Sequence, residues 1–168
     1  DLSPAPGAYA KWSDTVDSEG LNRDELYDAF FDDEQAQQYY RNFLEKLLTR
    51  ENHITGTEYR EDPTIMLWEC GNEMGYRNWE DRGKSLADWY DETARYIKSL
   101  DGNHLVGSGM YGSDARNEFV EDHRSDAIDV CSVHLYPKYP NRSDIAEKPY
   151  EEGPAHDMSI DEMVDYLE

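Results

Sequence analysis

Apolar residues recur at helical spacing in two long windows of this chain and fall in short continuous runs in three others. From about Asp33 to Arg50, Ala36, Tyr40, Phe43, Leu44, Leu47 and Leu48 form one stripe, with Asp32 or Asp33 placed to cap its start. From about Asp81 to Leu100, Leu86, Trp89, Tyr90, Thr93, Ile97 and Leu100 form a second, with Gly102 after it. The run after Pro63, through Ile65 to Cys70, suits a strand buried on both faces. So do His104–Gly109 and Ala127–Tyr136. A shorter helix is expected over about Asp114–His123, and a last one opens at Ser159, where Glu162 stands at capping-box spacing. Residues 1 to about 30 read as a long irregular loop, 52–62 as a polar connection, and 137–157, with four of the seven prolines, as a loop.

Short buried strands alternating with helices predict an α/β protein with about three parallel strands, right-handed crossovers and flanking helices. In such sheets function gathers at the C-terminal strand ends. That directs attention to Asn72 and Glu73, to Gly109–Gly112, and to His134 and Tyr136. A carboxyl at an aromatic-walled rim can donate a proton to a leaving oxygen. The Asn72 amide can hold a sugar hydroxyl. Each also has a plainer reading: Glu73 as a solvated loop carboxylate, His134 and Tyr136 as an ordinary strand-end pair. Tyr9, Trp12, Tyr76 and Trp79 flank the rim, where aromatic faces could stack on sugars or simply pack. Glu69, inside an apolar run, is expected to be buried in a structural ion pair with an Arg from elsewhere.

The charge balance narrows the partners. With 38 acidic against 16 basic residues, the net charge is -22. Thirteen Tyr and four Trp set the chain apart from disordered acidic segments. Such a surface repels nucleic acid and anionic membrane and suits a neutral substrate. The acidic surface, with only six Lys, also suggests a high-salt source. The five His and two Cys show no metal-ligand spacing, and there is no phosphate loop or nucleophile elbow. No metal or cofactor is expected. Cys70 and Cys131 could form a bridge or remain two buried thiols. No run reaches membrane-spanning length, and none reads as a signal peptide.

The run Asp62-Pro63-Thr64-Ile65-Met66-Leu67-Trp68-Glu69-Cys70-Gly71-Asn72-Glu73 strongly resembles strand four of glycoside hydrolase family five (clan A), in its mannan endo-1,4-β-mannosidase branch. Tyr9-Ala10-Lys11-Trp12, Asn52-His53-Ile54-Thr55-Gly56, Tyr96 to Asp101 with Asn103 to Val106, and Val133 to Pro137 resemble that family in the same order. The resemblance implies a partial (β/α)8 TIM barrel, a single domain over 1–168 running from the loop after strand three to helix six. It implies an extracellular, retaining endo-acting hydrolase of β-1,4-mannan that needs no cofactor. Glu73 would be the acid/base, Asn72 would hold the 2-hydroxyl of the sugar at the cleaved bond, His134 would contact that sugar, and Tyr136 would position the nucleophile. Trp12 and Arg77 would be further substrate contacts. Met74 stands where the family has Pro, the following Arg is displaced to Arg77, and Met110-Tyr111-Gly112 lacks a usual Glu.

A complete barrel takes roughly 250 residues, so this is expected to be a central segment. By the resemblance the nucleophile lies beyond Glu168, and the isolated chain would be inactive. A β-1,4-glucanase (cellulase) of the same family and a non-catalytic glycan-binding fragment are the alternatives. Open edges on a three-stranded sheet predict dimerisation of the isolated chain. The acidic surface generates one direct prediction: the melting temperature of the protein rises as salt is raised from millimolar to molar. Calorimetry across that range checks it, and a flat or falling profile refutes the high-salt reading.

Overall fold

The computed structural model describes residues 6–77, 85–111 and 116–134. Five helices flank short parallel strands: α1 (Pro6–Trp12), α2 (Arg23–Asp32), α3 (Glu34–Leu48), α4 (Ala87–Leu100) and α5 (Arg116–Asp122), with β1 (Leu67–Glu69), β2 (Leu105–Gly107), β3 (Met110–Tyr111) and β4 (Val133–His134). A single 3-10 turn, Tyr59–Glu61, interrupts the polar connection before β1.

The N-terminal region departs from expectation, carrying two helices where an irregular loop was foreseen. Pro6 opens α1, where a missing N–H costs nothing. Asn22 starts α2 through a reciprocal capping box. Its Oδ1 accepts from the Asp24 and Glu25 N–H groups at 2.9 and 3.0 Å, and Glu25 Oε2 accepts from the Asn22 N–H at 2.8 Å. Asp33 caps α3 as foreseen, accepting from the Ala36 N–H at 2.7 Å. Its carboxylate also accepts from Ser13 and Thr15 at 2.7 and 2.5 Å, which ties the end of α1 to the α2–α3 corner.

The two predicted stripes are the buried faces of α3 and α4. Ala36, Tyr40, Leu44 and Leu48 are buried on one, and Trp89, Tyr90, Thr93, Ala94 and Ile97 on the other. Gly102 does not end α4, because Asp101 already turns the backbone extended at φ -140°. Leu86 offers α4 no side-chain cap. Asp122 supplies one from α5, accepting from Ser85 Oγ at 2.7 Å and the Leu86 N–H at 2.8 Å. Rings of Tyr9, Phe30, Tyr40 and Trp89, one from each of α1 to α4, meet at centroid distances of 5.8–6.1 Å. This aromatic knot joins the missed N-terminal helices to the foreseen pair.

The three predicted strand runs pair in parallel. β1 lies beside β2 with Leu67 opposite Leu105, and β3 beside β4 with Met110 opposite Val133. Parallel bridges Gly107–Val130 and Met74–Met110 link the pairs, so the middle run Leu105–Tyr111 has a neighbour on each side. It breaks at Gly109, whose φ of 62° and approach to the Gly71 carbonyl leave no space for a side chain.

In these 168 residues Glu69 is exposed on the sheet face turned away from the helices, and accepts a 3.3 Å bond from Ser132 Oγ. No Arg pairs with it among the described residues, as expected for a partner supplied from elsewhere. One expectation fails. The cysteines are both free, and only Cys70 is buried; Cys131 is exposed. Burial pushes the Cys70 thiol up to about 12. The segments 78–84 and 135–168, with Trp79, Tyr136, the proline-rich loop and the helix at Ser159, lie outside the described residues. No helix among the described residues is long and apolar enough to cross a membrane.

At the opposite end of β1 from the predicted site, Asp101 is fully buried and gathers four donors. Trp68 Nε1 donates to it at 2.6 Å, His104 Nδ1 at 2.7 Å, and the Asn103 and His104 N–H groups at 2.8 and 3.1 Å. Burial pushes the carboxyl up, but these bonds outweigh it and hold it below the ordinary value. Burial likewise pulls His104 down, yet Asp101 and the Asp62 carbonyl outweigh it and raise the imidazole. A raised histidine stabilises below its unfolded pKa and stops doing so as pH rises through its folded one. A lowered carboxyl stabilises above its unfolded pKa, until pH falls through the folded one. The pair therefore contributes most between about pH 4 and 6.5. Asp101→Ala is expected to cost roughly 3 kcal/mol, since it strands several buried donors. Denaturant unfolding from pH 3 to 9 checks both points, with the difference from wild type narrowing towards either end.

Candidate active site

The candidate site is built on the turn that leaves β1. After Glu69 the chain passes Cys70 and Gly71, turns at Asn72–Glu73, and rejoins the sheet where Met74 bridges Met110. Glu73 has φ 53°, the left-handed region that non-glycine residues rarely occupy. Such a conformation costs on the order of 1–3 kcal/mol and persists only where surroundings enforce it.

Hydrogen bonds to the Cys70, Glu73 and Met74 carbonyls supply that enforcement. The Tyr40 hydroxyl of α3 donates to the Cys70 carbonyl. The Tyr27 hydroxyl of α2 donates to the Glu73 carbonyl at 3.1 Å, and Arg77 Nη2 donates to the same oxygen at 2.7 Å. The Tyr90 hydroxyl of α4 donates to the Met74 carbonyl at 3.2 Å. Burial raises all three phenols above their ordinary value, Tyr40 and Tyr90 furthest. They therefore stay protonated, as donors, at any pH the protein works in.

With its backbone so held, Glu73 places Oε1 3.0 Å from His134 Nδ1. The two side chains are about a quarter exposed, at 23% and 30%. His134 arrives through the sheet, at the position in β4 opposite Tyr111. One proton can be shared across this contact, the imidazole N–H donating to the carboxylate or the protonated carboxyl to neutral imidazole. A half-open carboxyl beside an imidazole can protonate a leaving oxygen and later take a proton from water.

The structure thus brings together Glu73 and His134, two of the residues picked from sequence. Asn72 precedes Glu73 and is exposed. Trp12 lies at the end of α1, 57% exposed, edge-on to Tyr9 at 5.8 Å. Tyr9, considered as a sugar-stacking face, is instead buried in the core. Tyr76 is half-buried and packs 5.2 Å from Phe31. Tyr136 and Gly112 lie outside the described residues. Among the described residues no group of three or more His, Cys, Asp or Glu could hold a metal ion.

The residues that sequence reasoning missed are the tyrosines. Tyr40 and Tyr90 read from sequence as stripe residues of α3 and α4, and the main-chain carbonyl each hydroxyl reaches lies outside that pattern. Tyr27 and Asp28, which accepts from the Arg77 N–H at 2.7 Å, stand on a helix taken for loop.

Solved structures similar to this chain include glycoside hydrolases. The endo-beta-1,4-mannanase from Thermotoga petrophila superposes with a TM-score of 0.60 at 30% identity, over 77% of this chain and 30% of that one. A glycoside hydrolase family 5 mannosidase from Rhizomucor miehei gives 0.63 at 24% identity, over 80% and 33%, a likeness of fold alone. A family model described as GH family 5 beta-mannosidase-like matches residues 9–168, and the chain belongs to that family. Mannan endo-1,4-beta-mannosidase 5 of Arabidopsis thaliana is 38% identical over 149 residues, covering 78% of this chain and 34% of the relative. Mannan endo-1,4-beta-mannosidase 2 of Oryza sativa subsp. japonica is 35% identical over 149 residues, covering 77% and 33%. The chain spans about a third of the length of these relatives.

Proposed function

We propose that this chain is the part of a retaining endo-β-1,4-mannanase that carries its general acid/base, Glu73. The observation behind this reading is the Glu73–His134 pair, a carboxyl aimed by a rigid turn at an imidazole on a neighbouring strand. The mannanase names of its relatives supply the substrate.

In the proposed reaction Glu73 protonates the glycosidic oxygen as the bond to the sugar breaks, then takes a proton from the water that releases the glycosyl-enzyme. A retaining site sets its two carboxyls about 5 Å apart, and the nucleophile is assigned to sequence outside these 168 residues. The whole enzyme would be a (β/α)8 barrel, to which β1, the run Leu105–Tyr111 and β4 contribute three consecutive strands. Asn72, exposed at the turn, is suited to the 2-hydroxyl of the sugar at the cleaved bond. His134 would contact that sugar as well as Glu73. Tyr136 would orient the nucleophile, and the exposed Trp12 ring offers a stacking face. A neutral polysaccharide also suits a chain of net charge -22, which imposes no repulsion on it.

Glu73→Gln in the full-length protein is expected to lower mannan hydrolysis by about 10²- to 10⁴-fold, with the fold unchanged. Reducing-sugar release, with circular dichroism as the control for folding, measures it. A Gln variant that cleaves mannan at the wild-type rate refutes the acid/base assignment, and a wild-type preference for cellulose derivatives refutes the substrate.

A further inference from the structure

We infer that Tyr27 and Arg77 are positioning residues for proton transfer, acting through the main chain of Glu73; this rests on Glu73 being the acid/base. Their shared target is the Glu73 carbonyl, which receives the Tyr27 hydroxyl at 3.1 Å and Arg77 Nη2 at 2.7 Å. The two donors also brace each other. The Arg77 guanidinium lies 4.7 Å over the Tyr27 ring, and its Nη2 is 3.5 Å from the Tyr27 hydroxyl.

A second grip closes the device. Asp28, next to Tyr27 on α2, accepts from the Arg77 N–H at 2.7 Å. The middle of α2 therefore holds both ends of the Glu73–Arg77 turn. Tyr27 itself is seated against Phe31 at 5.9 Å, and the hydroxyl also reaches Met74 Sδ at 3.6 Å.

The consequence for chemistry follows from where the strain sits. Glu73 occupies φ 53°, and its Cβ direction is set by that angle. Relaxing to an ordinary φ swings the carboxyl off the position 3.0 Å from His134. Proton transfer needs hydrogen-bond reach of about 2.6–3.2 Å. A carbonyl held by two donors cannot rotate without losing both. Arg77, read from sequence as a substrate contact, gains a role through Glu73 instead, and its displacement from the usual place after the Asn-Glu pair fits the four-residue turn it closes.

The test separates acid catalysis from general damage. Full-length Tyr27→Phe keeps the ring beneath Arg77 and removes one donor. It is assayed on mannohexaose, whose leaving group needs protonation, and on 2,4-dinitrophenyl β-mannobioside, whose leaving group does not, with azide present to replace base-activated water. The expected result is a kcat on mannohexaose lowered about 10- to 100-fold with KM unchanged, and kcat/KM on the aryl substrate within about twofold of wild type. The basic limb of the mannohexaose pH profile is expected to shift as well. Arg77→Lys, which keeps the charge but not the planar stack, is expected to show the same selective loss, and serves if Tyr27→Phe folds poorly. Equal losses on both substrates, or none on either, overturn the inference. Glu73→Gln on the same substrates separates the two readings. If its loss is selective and that of Tyr27→Phe is not, only the positioning role fails. If its loss is not selective, the acid/base assignment itself fails.

Discussion

The backbone from Cys70 to Met74 would not keep its shape alone. Its left-handed Glu73 costs on the order of 1–3 kcal/mol. Each intramolecular hydrogen bond returns about 0.5–1.5 kcal/mol net. The Tyr40, Tyr27, Arg77 and Tyr90 donors together are therefore of the right size to hold it. The aim of the carboxyl depends on this balance, and so does the reason for the helices packed around β1. Each of α2, α3 and α4 sends one phenol to the turn.

That arrangement gives two of the core tyrosines, Tyr40 and Tyr90, a second task beside packing. Phe30 and Trp89 fill space between the helices, whereas Tyr40 and Tyr90 fill space and also reach a main-chain oxygen beyond it. Tyr40 and Tyr90 thus link helix packing to strand-end geometry, whereas the buried Tyr9 hydroxyl has no partner among the described residues. The opposite end of β1 uses another device, the Asp101 carboxylate, which fastens Trp68 of β1 to the segment between α4 and β2 and binds His104 within that segment. The strand is thus fixed at both ends by polar groups and along its length by parallel pairing.

Much of this was legible in the chain itself. The stripes of α3 and α4, the Asp33 cap and the three parallel runs follow from periodicity and hydrogen-bonding capacity. Glu73 and His134 were legible as strand-end residues. The helices α1 and α2 were not, although Pro6 and the Asn22–Glu25 pair are start signals. In α2 the pairs Leu26–Phe30 and Tyr27–Phe31 do fall at helical spacing, but the helix is only ten residues long and follows a stretch punctuated by Gly20. Tyr27 meets Glu73 across 46 positions, a separation that no local pattern encodes.

The turn at Glu73 is, for these reasons, not a transferable module. A designer who moved residues 71–77 into another parallel barrel would carry over the carboxyl and Arg77, but not the three phenols, which sit on helices before and after the strand. In the new host the acid would be present and unaimed. What would have to travel is a patch of three helix surfaces, scattered from position 27 to position 90, that share no contiguous stretch of sequence with the residue they serve.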